Sequence, residues 1–247
     1  MRSYKLFVAG IVVALAGPAI ADTRVTTSRT DKYFTGNGGE FTLAPLDNLV
    51  GPVITGTFSD IASLPGTFQS FCVETNESIS GNPQTHYVDI NTYATLGGAG
   101  GRVSGGPHGT TIDPLDAKTA YLYTKFRSGS LAGSGYNYNT SGPTPWRDST
   151  AGALQEAIWA IEQEQSVSSL TGLAKAFYDE SVEATTLGAD GKITWTGIGS
   201  VRVLNLYGDA GRTDYRQDML CMNPEPGAGL LVLAGLSLMP GFRRRRA

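Results

Sequence analysis

The sequence predicts an α+β domain, built as a β-sandwich or barrel-like sheet with an inserted helical subdomain. Three observations carry this prediction. Short β-type runs cut by Gly, Pro, Asn and Asp occupy residues 22 to about 110, helical periodicity takes over from about 113 to 182, and β-type pattern returns over 192–207. The 32 glycines in 247 residues show no triplet period, and 9% aromatic residues is too many for a wholly disordered chain. Two cysteines exclude a disulfide-dense miniprotein and a zinc site made of four cysteines.

Strands are expected at 40–43, 53–58, 67–74 and 86–90, each bounded by turn-forming residues. Residues 96–110 (LGGAGGRVSGGPHGT) are too glycine-rich for regular structure and mark a loop or subdomain edge. Asp113-Pro114 opens a first helix, since proline suits a first helical turn; Leu115, Ala120, Leu122 and Phe126 form its apolar stripe, and Ser128-Gly129 ends it. Residues 129–147 form an exposed loop whose tyrosines and tryptophan either meet a partner or merely decorate the surface. Asp148 or Ser149 caps a second helix that runs to Glu162, and a third spans 169–182 with Leu170, Leu173, Ala174, Phe177 and Val182 on one face. Strands at 192–196 and 201–207 complete the sheet.

Both ends read as addresses. Arg2 and Lys5 precede the apolar run LFVAGIVVALA and the small-residue site Ala19-Ile20-Ala21, the order of a secretory signal peptide over residues 1–21. The run is shorter than the roughly 20 apolar residues a membrane span needs. At the other end, residues 223–247 hold Pro224, Glu225 and Pro226, an apolar stretch, and Arg243, Arg244, Arg245 and Arg246. A hydrophobic segment stopped by a positive cluster halts in the membrane with its arginines on the cytoplasmic side. This tail resembles the PEP-CTERM sorting signals of Gram-negative bacteria, which implies an exosortase as processing partner, initial retention in the inner membrane by the tail, and delivery to the cell surface or exopolysaccharide matrix. Removing those six basic residues from the chain's 19 leaves 13 against 22 acidic ones, a net charge near −9 that makes nucleic acid an unsuitable partner. Five lysines remain, Lys32, Lys118, Lys125, Lys175 and Lys192.

Two stretches of the body, 22–222, carry the chemistry: Phe71-Cys72-Val73-Glu74 and Leu154-Gln155-Glu156-Ala157-Ile158-Trp159. Strand alternation places Phe68, Ser70, Cys72 and Glu74 on one side and Gln69, Phe71 and Val73 on the other, so Cys72 shares a face with polar groups, where a purely structural cysteine is less common. At about 100° per residue Gln155 falls between Ile158 and Trp159, which makes it half-buried and in need of a partner for its carboxamide; on spacing alone a helix-surface glutamine is the plainer reading.

The first stretch resembles the aromatic-Cys-x-acidic motif, and the second the Gln-x-Ala-Ile-Trp motif, of the thioester domains at the tips of Gram-positive surface adhesins. Thr119-Ala120-Tyr121-Leu122-Tyr123 is similar to that family's intervening helix, and Leu154 stands where threonine is usual. The resemblance covers roughly residues 33–207. It implies an intramolecular thioester between Cys72 and Gln155, formed with loss of ammonia, shielded by Phe71, Ile158 and Trp159, and consumed once by an extracellular amine or hydroxyl on a surface or polysaccharide. On that reading the chain is not an enzyme and uses no cofactor; Glu74 and Glu162 are candidates for orienting an amine.

Two other readings stay open. An exported chain with two cysteines is normally read as one disulfide, here Cys72–Cys221 in a structural matrix protein, worth about 4 to 5 kcal/mol in the chain-entropy model. Against it, Cys221 precedes Pro224 in a segment expected to be mobile or processed. A secreted cysteine hydrolase pairing Cys72 with His86 or His108 is the third, although both histidines are expected in loops. No Cys/His cluster has metal spacing, and no glycine-rich loop is built as a phosphate site.

Overall fold

The computed structural model describes residues 23–35, 38–46, 66–79, 83–96, 98–139, 146–189 and 191–223. The segment read as a signal peptide, the segment from Pro224 onward read as a sorting tail, and the strand expected at 53–58 lie outside them. In order the elements are β1 (Arg24–Thr35), β2 (Gly38–Pro45), β3 (Phe68–Ser70), β4 (Gln84–Asn91), β5 (Tyr93–Thr95), β6 (Val103–Ser104), β7 (Thr111–Pro114), α1 (Ala117–Arg127), α2 (Trp146–Ile161), α3 (Gly172–Thr185), β8 (Val201–Tyr207) and β9 (Tyr215–Met222). The chain is α+β: a curled, barrel-like antiparallel sheet, interrupted between β7 and β8 by the helices.

The large sheet runs β3-β2-β1-β4-β8-β9, and β5-β7-β6 form a small second one. The chain after β3 curls the large sheet round on itself. Residues 68–70 pair with β2, then the next three leave it for β9: Leu220 N–H donates to Phe71 O at 3.0 Å, Val73 N–H to Asp218 O at 3.1 Å, and Cys72 stands opposite Met219. Cys72 therefore lies on the seam between first and last strands.

Period-two alternation sorts the apolar side chains into two cores. Phe71, Val73, Val201, Val203 and Leu220 face the helices and join Leu122, Tyr123, Phe126, Leu154 and Ile158. Phe68, Cys72, Leu204, Leu206, Met219 and Cys221 face the opposite way and pack with Val25, Phe41, Leu43 and Val88. A sheet buried on both faces explains the nearly continuous apolar runs in β8 and β9. It also corrects the expectation for Cys72, whose face is an apolar cluster despite the neighbouring Ser70 and Glu74.

Helix α1 begins three residues after Pro114, because Asp113-Pro114 pairs with Tyr93 and Ala94 in β7; Asp116 is the true cap, accepting from Lys118 N at 2.8 Å. Gly129, at φ 75°, turns the chain out after Ser128, as expected. Helix α2 starts at Trp146, earlier than the Asp148 or Ser149 expected, and α3 spans Gly172–Thr185 after a short 3-10 turn at Val167–Ser169. In α3, Ala174, Phe177, Ser181 and Ala184 form the buried stripe.

Four further expectations are corrected. The glycine-rich stretch carries β6, a 3-10 turn at Pro107–Gly109 and the approach to β7. The chain at 192–196 forms turns, not a strand: Gly188 N–H donates to Lys192 O at 2.9 Å and Trp195 N–H to Ala184 O at 2.9 Å. Tyr136, placed in an exposed loop, is buried against Phe126 and Phe177, and Tyr138 stacks on Phe126. Cys221 is neither mobile nor terminal in character; it lies buried in β9, paired with Arg202 of β8.

Candidate functional site

Strand register and helix phase converge on one pair of side chains. Cys72 and Gln155 are both wholly buried, so the Gln155 carboxamide is not half-exposed as its helix position suggested. Its three polar contacts all go to Cys72. The Cys72 N–H donates to Gln155 Oε1 at 3.2 Å, the Sγ–H donates to the same oxygen at 3.2 Å, and Gln155 Nε2 donates to Cys72 O at 2.7 Å. One residue thus grips the amide from both ends and lays its sulfur beside the carbonyl. The N–H on Oε1 polarises the carbonyl as an oxyanion-type donor does, and the carbonyl on Nε2 holds the amide nitrogen away from the sulfur.

Three features hold this geometry. Gly38, at the start of β2, gives the pair its room: a Cβ there would sit 2.4 Å from Gln155 Cγ and 2.8 Å from Trp159 Cη2. Glu164, just past α2, ties down the chain after Cys72, accepting from Thr75 N at 2.9 Å, Thr75 Oγ1 at 2.7 Å and Ala99 N at 2.7 Å. Gln163 in the left-handed region, φ 64°, turns Glu164 toward that contact. At the other end of α2, Arg147 makes a buried bidentate pair with Glu40 of β2, Nε to Oε1 at 2.7 Å and Nη2 to Oε2 at 2.7 Å. None of these three supports was expected from sequence, because each joins residues distant along the chain.

The expected shields divide by position. Phe71 and Ile158 are fully buried in the helix-side core, where Phe71 meets Phe126 edge-on at 5.0 Å. Trp159 is the outer wall: its Nε1–H donates to Glu74 O at 3.2 Å, and its ring lines an open cavity of about 330 Å³ with Arg29, Thr75, Glu77, Ser78, Ile79 and Gln217. Trp159 lines that cavity and also stands, with Gln155, against Gly38.

Burial first, and the nearby Glu74 charge second, push the Cys72 thiol well above its ordinary range and keep it protonated. Burial likewise raises Glu74, with Asp218 adding to the rise, and pushes Glu77 up to about 7. Glu74 is 1% exposed and turned to β9, where Asp218 N–H donates to its Oε2 at 3.1 Å. Glu162 is buried at the start of α1, accepting from Asp116 N at 3.3 Å, and is no part of the cavity wall. Glu162 thus lies away from the cavity, whereas Glu74 lies beside its Glu77 wall.

The two other cysteine readings gain no geometry. Both cysteines are free and buried. Met219 stands opposite Cys72, so Cys221 is its diagonal neighbour at about 7–8 Å, beyond the usual Cα separation of a disulfide. His86 is a buried β4 residue rather than a loop one, with Nε2 on Thr27 Oγ1 at 3.0 Å; burial lowers it to about 4. His108 is exposed in the 3-10 turn. No helix among the described residues is long and apolar enough to cross a membrane. Compared with protein-family models, with curated proteins and with solved structures, the chain matches none.

Proposed function

We propose that the chain is a single-use covalent capture domain of the thioester type. The observation that carries this reading is the grip of Cys72 on Gln155, with Sγ 3.2 Å from the carboxamide oxygen and both ends of the amide held by the same residue's backbone. In the forming step Sγ bonds to Gln155 Cδ, the Cδ–Nε2 bond breaks, the thiol proton passes to the departing nitrogen, and ammonia leaves. Pre-paid orientation of this kind offsets the low reactivity of an amide. In the capture step an amine or hydroxyl entering beside Trp159 attacks Cδ, the Cδ–Sγ bond breaks, the nucleophile's proton passes to the departing sulfur, and Gln155 is left covalently joined to the target through its acyl carbon. Nothing turns over, so the domain acts once.

On this reading residues 22–222 are the working body, 1–21 export it, and 223–247 sort it through a transient membrane stop to the cell surface or matrix with an exosortase as partner. Adhesion or matrix cross-linking to a nucleophile-bearing surface or polysaccharide follows. Intact-mass measurement tests the chemistry. The expected mass is short by one ammonia, shifts by one methylamine adduct on treatment, and returns to the sequence mass in Cys72→Ala. A full sequence mass before treatment, unaltered by methylamine, sinks the reading.

A further inference from the structure

Three carboxylates meet beside the cavity, and the chemistry proposed for Cys72 and Gln155 uses none of them. Each of Glu74, Glu77 and Asp218 offers a carboxylate oxygen within 4.8 Å of those of the other two. Burying three acids together is costly unless something positive joins them. No lysine, arginine or histidine among the described residues forms an ion pair with any of the three; Arg216, close enough to bias Glu77, donates instead to Asp214 at 2.5 Å. Two oxygens are left over. Glu74 Oε1, on a side chain 1% exposed, and Glu77 Oε2 are buried with no hydrogen-bond donor.

Glu74 Oε2 and both Asp218 oxygens are fixed by backbone and amide donors, as the outer shell of a metal site fixes its ligands. Asp218 Oδ1 accepts from Leu206 N at 3.0 Å, and its Oδ2 from Thr95 N at 2.7 Å and Asn205 Nδ2 at 2.6 Å. We propose that Glu74, Glu77 and Asp218 bind one divalent cation of the calcium class, entered from the cavity that Glu77 lines. An all-oxygen, three-carboxylate donor set is hard and suits calcium or magnesium rather than zinc. Magnesium usually keeps several of its waters and takes one or two carboxylates, so a set of three carboxylates favours calcium. The cavity, lined also by Thr75, Ser78 and Gln217, leaves room for waters to complete the coordination. The rival is a shared proton, which would neutralise part of the cluster without any metal.

Calorimetric titration of the full chain with calcium chloride separates the two. One saturable site is expected with a Kd of about 10⁻⁵ to 10⁻³ M, together with a rise in Tm. Glu77→Gln, a substitution at the partly exposed rim, should weaken binding at least about tenfold. As a measurement needing no variant, terbium luminescence excited through Trp159 should appear on the unmodified protein and be displaced by calcium. No heat and no Tm change up to about 10 mM calcium overturns the proposal, and so does affinity unchanged in Glu77→Gln or a Tm rise matched by magnesium at equal ionic strength. The proposal stands apart from the Cys72–Gln155 bond, which the mass measurement tests separately.

Discussion

Gly38 is where a single methyl group separates a working geometry from a blocked one. The absent Cβ is the space that Gln155 Cγ and Trp159 Cη2 occupy. Gly38→Ala is expected to destabilise the fold by about 1–3 kcal/mol, as overpacking does. It should also lower the fraction of protein lacking one ammonia, read by thermal unfolding and intact mass on the same sample. Glu162 supplies a pH test away from Cys72 and Gln155. Burial, reinforced by Asp113 and Asp116, raises its carboxyl from 4.5 to about 8. The folded state then holds a proton that the unfolded state has lost, so its contribution is full below pH 4.5 and fades as pH rises to about 8. Glu162→Gln, which cannot ionise, should gain stability relative to the unmodified protein across that window, by up to a few kcal/mol (~3–4). A constant difference in Tm between pH 4.5 and 8 would refute the assignment.

At the scale of elements, α2 is held at both ends. Glu40 and Arg147 pin its first turn to β2, with Arg147 Cζ 4.2 Å from the Tyr33 ring centroid and the Tyr136 hydroxyl donating to Glu40. Arg147→Ala leaves Glu40 as a buried unpaired charge and is expected to cost about 3–5 kcal/mol, whereas the double replacement Glu40→Leu with Arg147→Met should cost much less. Denaturant unfolding of the two variants beside the unmodified protein checks this. The helices and the strands near 40, 68, 86 and 201 were legible from periodicity and turn residues; that Cys72 and Gln155 touch followed from neither, only from the resemblance of their two motifs to a known family. Strands β1 and β9 were missed because Thr-rich RVTTSRT and charged YRQD hide alternation behind polar side chains, of which Thr27, Gln217 and Asp218 are buried. Asp113-Pro114 misled because proline serves equally well at a strand edge.

For the whole molecule, the decisive feature is the seam. Residues 68–73 close the sheet by pairing first with β2 and then with β9, a switch of partner that no local pattern announces. The same seam places Cys72 against β9 and explains why Cys221, read as a tail residue, is instead interior. The contacts of Glu40, Glu164 and Gln217 across long stretches of chain were illegible for that reason: Gln217 Nε2 reaches Glu74 O at 2.8 Å only because β9 returns beside residue 74.

That seam has a mechanical corollary. Cys72 and Gln155 are 83 positions apart, so a covalent tie between them withdraws that length from any chain stretched by its ends. Pulled in a force spectrometer, the tied form should extend roughly 28 nm less than Cys72→Ala, at about 3.4 Å per residue. A tether that captures its target would thereby stiffen or slacken with the chemical state of one rivet, and tension itself becomes a readout of whether the rivet is intact.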